Sequence, residues 1–529
     1  MTYLDYSATT PVNKEVLDSF NKVTTNFIGN PNSLHRLGVE AKELIDEATH
    51  QIAQILNIKD DEIIYTSGAS ESNNTALKGI CSKYQNRGKK ILTTKLEHSS
   101  IYGALGYLQK NGFTLDFIEL NENGEIDIND LKNKLTDDVI LVTISHVNSE
   151  LGIKQNVNEI GKIIHENSKA YFHVDMTQSI GKIKVSFENI DLASFTAHKI
   201  YGLKGIGALF LKKGIVIDNL IHGGKSTSVY RSGTPSAALI VSFSKALRLI
   251  YNDIDEKYKH VLELNNYLKN NLKCEINSTP SSIPHILNLS VLNIKPETVL
   301  HALEKYDIFI STQSACSTGD TSTSVYAVTK DIEKAKHSIR ISLSYLTTMD
   351  EVKYFIKCFN EVLEEYGKWN IWKYSVNNLN KTVYDNCIFK CSDFSNINIE
   401  DIGFINCKFI ECKFVGTTIN DSLLKNVLFD SCKMNFIIIS DSNINNVCFN
   451  KCTLIEGTLY NNKLNKKSYI FNNNNMEKIN INDSMKNISL IDNNINGINI
   501  NLENIKGCIV SKDDLIILSG LLGVEVKWK

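Results

Sequence analysis

Hydrophobic and polar positions follow one rule before about residue 365 and another after about residue 380. In the first part, short β-branched runs alternate with segments of helical spacing, which predicts an α/β layered domain with a mainly parallel sheet. The predicted buried strands are 63–66, 91–94, 139–144, 170–174 and 206–211. The predicted helical segments include 35–57, 71–85, 155–167 and 236–271, with a last helix at about 349–367. A short stretch containing Trp369 and Trp372 then predicts a linker over 368–380.

Beyond the linker, an apolar residue falls on every fifth position. The run is Phe389, Phe394, Ile399, Phe404, Phe409, Phe414, Ile419, Leu424, Phe429, Met434, Ile439, Ile444, Phe449, Leu454, Leu459 and Leu464. Neither a helix nor a plain strand has this period. If about half of residues are apolar, such a run has odds of roughly 10⁻⁵. A second run in shifted register follows at Met485, Leu490, Ile495, Ile500 and Ile505.

This repetitive region resembles the pentapeptide-repeat family. The resemblance implies an all-β, right-handed, four-sided β-helix over 381–510, with two inward residues per repeat, four repeats per coil and about 4.8 Å between coils. All six prolines precede residue 300, which suits a solenoid whose N–H groups pair between coils. The tail, 511–529, contains an amphipathic stretch at 515–522. It predicts a helix that covers the open end of the solenoid or forms a dimer contact.

Composition and charge narrow the classes of function. The net charge of −2 gives no electrostatic footprint for nucleic acid or an anionic membrane. Residues 1–20 lack the pattern of a signal peptide, and no apolar run reaches the length of a membrane span. The twelve cysteines are therefore expected to be thiols of a cytoplasmic protein.

Five of the cysteines share one phase of the repeat, two residues before the apolar centres. They are Cys387, Cys407, Cys412, Cys432 and Cys452. A metal or cluster site at the pairs 387/391 or 448/452 is an alternative. Small inward packing residues explain most positions, so no metal site is expected.

Three segments of the first part carry candidate chemistry, each at the end of a predicted strand. The turn 66–71 contains Gly and Ser before a helix, where backbone N–H groups attract an anion. Asp175 places a carboxylate directly after the predicted strand 170–174, and Lys199 places an amine at the end of a further apolar strand that precedes it. A phosphate cradle, an acid and a lysine in this order are expected for pyridoxal phosphate (PLP), whose ring acts as an electron sink.

The span from Tyr3 to about Thr348 resembles the cysteine desulfurases of the NifS/IscS type, within class V of the PLP-dependent aminotransferases. The matching segments are 3–11, 29–35, 66–74, 97–98, 146–150, 173–178, 197–205, 231–234, 311–316 and 338–343. The chain departs from the family at 223–230, which replaces a Gly-Gly-Gln-Glu pattern, and at Leu203, which replaces a proline. The resemblance implies fold type I over 1–367, with a large domain and a small α/β domain, and a homodimer.

The resemblance also implies roles for single positions. Lys199 would form the Schiff base with PLP, and Cys316 would be the nucleophile, on a loop (314–324) predicted to be mobile. His98 would stack on the ring and shuttle protons. Asp175 would pair with the pyridine nitrogen, and Gln178 would bond the ring hydroxyl.

The remaining positions implied by the resemblance concern the phosphate and the substrate. The phosphate would be held by Ala69, Ser70, Thr196, Ala197 and His198, joined by Thr234 of the partner subunit. Asn148 would contact the cofactor and the substrate carboxylate, and Arg340 would bind that carboxylate through a bidentate pair.

The sequence therefore predicts a PLP-dependent desulfurase that converts L-cysteine to L-alanine and passes sulfur from Cys316 to a protein acceptor. The β-helix would be a docking or scaffold module. One alternative is a selenocysteine lyase or another C–S lyase. A second is a binding module of the topoisomerase-protecting pentapeptide type, which the zero net charge of 381–510 argues against, because DNA mimics are acidic.

Overall fold

The computed structural model describes residues 1–224, 226–292, 294–312, 321–367, 382–465, 468–522 and 524. It divides into two compact units, Met1–Val362 and Leu363–Lys529. The predicted linker, 368–380, lies outside the described residues.

The helices of the first unit follow the predicted pattern closely. In chain order they are α1 Lys14–Asn26, α2 Arg36–Leu56, α3 Ala69–Tyr84, α4 Ser99–Lys110, α5 Ile128–Lys134, α6 Val157–Asn167, α7 Ala237–Tyr251, α8 Ile254–Asn271, α9 Pro296–Glu304, α10 Thr323–Thr329, α11 Ile332–Lys336 and α12 Met349–Gly367. The segment 236–271, predicted as one stretch of helical spacing, is two helices. The break comes at Asp253, whose backbone is left-handed with φ of 57°.

The strands of the first unit are short and mostly buried. They are β1 Thr2–Tyr3, β2 Ile63–Thr66, β3 Lys90–Thr93, β4 Thr114–Phe117, β5 Val139–Ser145, β6 Tyr171–Asp175, β7 Leu192–Thr196, β8 Gly207–Leu211, β9 Glu275–Ile276, β10 Ile286–Ser290, β11 Ile308–Phe309 and β12 Ser338–Ser342. The five predicted strands are present as β2, β3, β5, β6 and β8. All seven residues of β5 are buried, as expected for a central strand with helices on both faces.

The large sheet has the strand order β2-β8-β7-β6-β5-β3-β4. The strands from β7 to β4 are parallel, whereas β8 runs antiparallel to both of its neighbours. A smaller antiparallel sheet has the order β12-β10-β9, and β1 pairs with β11. A bridge from Asp5 to Ser342 brings the segment after β1 to β12, and a bridge from Ser311 to Arg340 brings the segment after β11 there as well. A parallel sheet places its ligand sites at the carboxyl ends of its strands, here those of β6 and β7.

The second unit is built from short parallel strands stacked in register. They are β13 Val383–Asp385, β14 Ile388–Lys390, β15 Asn398–Glu400, β16 Gly403–Ile405, β17 Lys408–Ile410, β18 Thr418–Asn420, β19 Leu423–Asp430, β20 Ile438–Ser440, β21 Asn443–Asn450, β22 Thr458–Tyr460, β23 Lys463–Leu464, β24 Tyr469–Asn472, β25 Asn480–Ile481 and β26 Asn499–Ile500. Residues twenty apart pair across neighbouring coils, as Phe389 does with Phe409 and Ile399 with Ile419. This is the predicted β-helix with four repeats per coil.

The fifth-position residues fill the interior of the β-helix. All sixteen are buried except Leu464, which is partly buried. The rings of Phe389, Phe409, Phe429 and Phe449 form one stacked column with centroids 4.6–5.1 Å apart. After Leu464 the register shifts by two residues. Phe449 pairs with Phe471, whereas the spacing of twenty residues would pair it with residue 469.

The second unit also contains the cysteines of the repeat and the helical tail. Cys407, Cys412, Cys432 and Cys452 are buried free thiols, and Cys387 is partly buried. The described residues contain no group of three or more His, Cys, Asp or Glu side chains arranged for a metal ion. The tail forms α14, Lys512–Ser519, after a short helix α13, Leu502–Ile505. Ile517 and Leu518 of α14 pack against the core of the β-helix.

Candidate active site

A cavity of about 460 Å³ opens at the carboxyl ends of β6 and β7. It brings together predicted site residues that are up to 271 positions apart in the sequence. Those that line it are Ala69, Ser70, His98, Asp175, Gln178, Thr196, His198, Lys199 and Arg340. Cys316 lies outside the described residues, as does most of its predicted loop.

Lys199 projects from a short 3₁₀ turn, Ala197–Lys199, directly after β7. Its Nζ donates to the main-chain carbonyl of Ala8 at 2.8 Å and to that of Ser7. The amine is therefore held by the first ten residues of the chain, across 191 and 192 positions of sequence. Two main-chain carbonyls thus orient the amine.

Asp175 and His98 are joined by a chain of hydrogen bonds. Asn73 of α3 donates from Nδ2 to Asp175 Oδ2 at 2.9 Å and to Ser100 Oγ at 2.9 Å. Ser100 Oγ lies 2.9 Å from His98 Nδ1, and the Ser100 backbone N–H donates to the same nitrogen at 3.2 Å. Because His98 Nδ1 accepts this N–H, the neutral ring carries its proton on Nε2.

The side-chain amide of Gln178 donates one hydrogen bond and accepts another. Its Nε2 donates to the carbonyl of Ser7 at 2.9 Å, and its Oε1 accepts from Nζ of Lys182 at 2.7 Å. Ser7 O thus accepts from both Gln178 and Lys199.

The N-terminus of α3 forms one end of the cavity. Gly68 precedes the helix, and the chain can pass close to β8 there because Gly207 has no side chain: a Cβ at Gly207 would lie 2.7 Å from Gly68 Cα. The hydroxyl of Thr196 donates to Ile206 O at 3.0 Å, and His198 Nδ1 lies 3.2 Å from Thr9 Oγ1. First-turn N–H groups of a helix lack partners within the helix, so this end suits an anion.

Arg340 is a buried cation at the opposite side of the cavity. Its Nη2 forms an ion pair with Asp5 at 2.8 Å, and its Nη1 donates to Ser149 O at 3.0 Å. Its Nε is buried and has no hydrogen-bond partner among the described residues. Asp5 neutralises the guanidinium in this state, while donor capacity remains for an anionic ligand.

Asn148 lies beside the cavity, between Val147 and Ser149, which line it. Its Oδ1 accepts from the N–H groups of Glu150 and Leu151, and its Nδ2 donates to Leu96 O and Ser324 Oγ. These contacts use all of the hydrogens of its amide. Asn148 therefore orders the turn that presents Ser149.

Two further predicted residues lie off the cavity. Ala197 is fully buried at the base of the turn that carries Lys199. Thr234 is exposed and lines a smaller cavity of about 180 Å³, which shares Ser67 and Gly205 with the first.

Positive charge is concentrated around the cavity and shifts its titrating groups. Burial and the charges of Lys199, Lys204 and Lys182 lower the pKa of His198 to about 4. Burial, with Lys199 and Arg340, lowers the pKa of Lys182 to about 7. Burial also lowers the pKa of His98, which Asp175 opposes. The cavity is therefore prepared for a ligand that carries negative charge.

Sequence patterns missed the residues that hold this site in place. Asn73, Ser100, Ser149 and Lys182 belong to matching segments or lie just beside them, yet no pattern indicates their contacts. Ser7 contributes a main-chain carbonyl, which no side-chain motif can reveal.

Comparison with known families matches both units. Residues 2–355 match the family model described as aminotransferase class-V, and residues 383–459 match the model described as pentapeptide repeat region. The described residues include no helix with the length and apolarity needed to cross a membrane.

Curated relatives and solved structures cover the first unit. The chain is 36% identical over 373 residues to cysteine desulfurase IscS of Dictyoglomus turgidum, covering 69% of this chain and 94% of that protein. It is 39% identical over 401 residues to cysteine desulfurase IscS of Buchnera aphidicola, covering 72% and 98%. A NifS-like protein structure has a TM-score of 0.66 at 33% identity, covering 69% and 99%. The structure of SspA in complex with cysteine has a TM-score of 0.59 at 29% identity, covering 66% and 100%.

Proposed function

We propose that the first unit is a PLP-dependent cysteine desulfurase. The chain belongs to the class-V aminotransferase family, and curated relatives of the chain are named cysteine desulfurases. The observation that carries the proposal is the meeting of Lys199, Asp175, His98 and Arg340 in one cavity. The substrate is L-cysteine, the products are L-alanine and a persulfide on Cys316, and a protein acceptor then takes the sulfur.

The cavity fits an anionic, phosphorylated cofactor on two observations. The close approach of Gly68 and Gly207 leaves the first turn of α3 open to a phosphate. The crowded cations that lower the pKa of His198 would be compensated by that phosphate. When bound, PLP supplies a ring that accepts the electron pair of a broken substrate bond.

Each side chain then has a task set by its position. Lys199 would hold PLP through its amine, and Asp175 would pair with its pyridine nitrogen. His98 would stack on the ring and offer the proton on Nε2. The N–H groups of Ala69 and Ser70 bind the phosphate with the side chains of Thr196 and His198, whose backbone segment continues through Ala197. The Thr196 hydroxyl must turn away from Ile206 O to donate to the phosphate.

Arg340 binds the substrate carboxylate together with Asn148, and the Ser149 carbonyl accepts from Arg340 Nη1. The reaction balances without an external oxidant or reductant. The Cβ–S bond of the substrate breaks and an S–S bond forms on Cys316. The carbon gains a hydrogen to become the methyl group of alanine, and the hydrogen comes from one of the two thiols.

We also propose that the enzyme is a cytoplasmic homodimer. Thr234 is exposed and lines the adjoining cavity, which supports the proposal that it contacts a phosphate bound in a second subunit. The eleven described cysteines are all free thiols, which fits a reducing compartment.

The test uses the full chain loaded with PLP and supplied with L-cysteine. We expect alanine and sulfide (with a reductant present) in equal amounts, and a persulfide mass on Cys316. Cys316→Ala should abolish both, whereas Cys274→Ala, in a thiol outside the cavity, should not. Sulfide release that is unaffected by Cys316→Ala would contradict the proposal and indicate a C–S lyase, and activity on selenocysteine alone would indicate the corresponding lyase.

The β-helix is proposed to dock or scaffold the sulfur acceptor. The matches cover 94% and 98% of the two curated relatives but only 69% and 72% of this chain, which leaves little length in those relatives for a domain of this kind. Deletion of 368–529 should therefore leave turnover of L-cysteine unchanged and reduce sulfur delivery to the acceptor. Unchanged delivery would contradict the docking role.

A further inference from the structure

The side-chain amide of Gln178 is oriented at both ends. Its nitrogen faces the Ser7 carbonyl at 2.9 Å, which can only accept a hydrogen bond. Its oxygen faces the amine of Lys182 at 2.7 Å, which is a donor in its charged form. A flip of the amide would lose both hydrogen bonds, so the second N–H of Gln178 stays available to the cavity that the residue lines.

Lys182 is an unusual residue for a protein interior. It is 7% exposed, and no ion pair with a carboxylate is found for it among the described residues. Lys199 and Arg340 both lie near enough to lower its pKa, in addition to burial. An apolar side chain of similar size would remove the cost of burying this amine, so packing alone does not account for it.

We propose that Lys182 is a positioning residue, which holds the amide of Gln178 so that its N–H is directed to the phenolic oxygen of the cofactor. The inference rests on the proposed function, because only a bound PLP presents that oxygen. Without the Lys182 amine, a flip of the Gln178 amide would no longer cost the hydrogen bond at its oxygen. The flipped amide would turn its carbonyl oxygen toward the phenolic oxygen, and the two oxygens would repel each other.

The experiment compares Lys182→Met with Lys184→Met in the full chain. Lys184 is exposed and pairs with Asp255 at the surface, so it is a matched control. The first measurement is the dissociation constant of PLP from the cofactor-free protein. The second is the pH midpoint of the visible absorbance band of the loaded protein. We expect Lys182→Met to weaken PLP binding about tenfold, as for one hydrogen bond, and to move the midpoint to higher pH. Lys184→Met should do neither.

Two further variants separate the hydrogen bond from the charge. Lys182→Gln keeps a donor without a charge, so we expect PLP affinity within about threefold of the parent. In a Gln178→Leu background, Lys182→Met should weaken binding by less than about twofold, because its partner is already absent.

The proposal is overturned if Lys182→Met binds PLP like the parent, if Lys182→Gln is as weak as Lys182→Met, or if the effects of Gln178→Leu and Lys182→Met add. Far-ultraviolet circular dichroism of each variant tests folding, and the Gln variant answers the question if the Met variant does not fold. Failure of the parent protein to bind PLP would instead refute the proposed function.

Discussion

Replacing Glu97 by glutamine should stabilise the first unit at alkaline pH. Glu97 is buried next to the cavity, where Thr94 Oγ1 and Ser145 Oγ donate to its two oxygens at 2.6 and 2.8 Å. Burial, aided by the charge of Asp175, raises its pKa from 4.5 to about 7 despite these hydrogen bonds. Glutamine has the shape of the protonated acid and cannot ionise.

The direction of the pH dependence follows from the pH at which Glu97 ionises in the folded and in the unfolded chain. The unfolded chain ionises near pH 4.5 and the folded chain near 7, so between these values the folded state holds more protons and loses stability as the pH rises. At about 1.36 kcal/mol per pKa unit, the difference between the two pKa values lowers the free energy of unfolding by about 3 kcal/mol at pH 8. Below pH 4.5 this contribution vanishes. The advantage of Glu97→Gln should therefore be near zero at pH 4.5 and approach about 3 kcal/mol at pH 8.

Urea unfolding of the cofactor-free protein at several pH values measures this difference. Circular dichroism at 222 nm reports mainly on the first unit, which contains α1 to α12. Glu122→Gln, at an exposed position, is the control and should change the free energy of unfolding by less than about 0.5 kcal/mol at every pH. A Glu97→Gln variant that gains nothing at pH 8, or gains equally at all pH values, would refute the reasoning.

Three further predictions test other contacts. Asn73→Ala should lower kcat at least tenfold in a steady-state assay, because both Asp175 and the Ser100 link to His98 lose a donor, whereas Asn74→Ala, at a half-buried position whose amide donates to Ser70 O, should not. Arg340→Lys should raise the KM for L-cysteine more than it lowers kcat, since one ammonium cannot replace a bidentate guanidinium. Phe429→Ala should cost the β-helix about 3–5 kcal/mol in chemical unfolding, because the ring is buried between two stacked rings, and should leave turnover unchanged.

The architecture was predictable where a buried strand is also continuously apolar, whereas β10 and β12 are wholly buried but were missed because Asn288 and Arg340 interrupt their apolar runs. The strands of the large sheet that were predicted are almost wholly buried, so they appear in the sequence as continuous apolar runs. β4, Thr114–Phe117, was missed because it is partly exposed and has no such run. The break between α7 and α8 was missed because Asp253 adopts a left-handed conformation without a glycine or proline to signal it.

In the β-helix, the sequence pattern failed to predict the interior residues between the two periodic runs. The period of five predicted the interior until Leu464, and the second run predicted it again from Met485. Phe471, Met476 and Ile481 fill the interior between these runs but obey neither register. An insertion in one coil changes the count along the chain without changing the column inside, so only pairing in space identifies these residues.

For the site, strand ends predicted which segments meet but not which side chain of a segment faces the cavity. Asn148 and Ser149 are neighbours in the sequence, and a motif cannot decide between them. The turn decides, because two N–H groups of the following residues bind Asn148 Oδ1. Likewise the hold of Ser7 on Lys199 depends on a contact across 192 positions.

The same contact sets an order of events during synthesis of the chain. The cavity needs Ser7 against Lys199 and Asp5 against Arg340, so it cannot close until residue 340 has left the ribosome. The first strand must wait as well, since its partner is β11 at Ile308–Phe309. Until then, Asp5 and Ser7 are kept from their final partners, and a nascent chain halted before residue 340 would offer PLP an incomplete site. The β-helix follows residue 340 in the sequence, so it emerges when the site ahead of it already has all of the contacts described here.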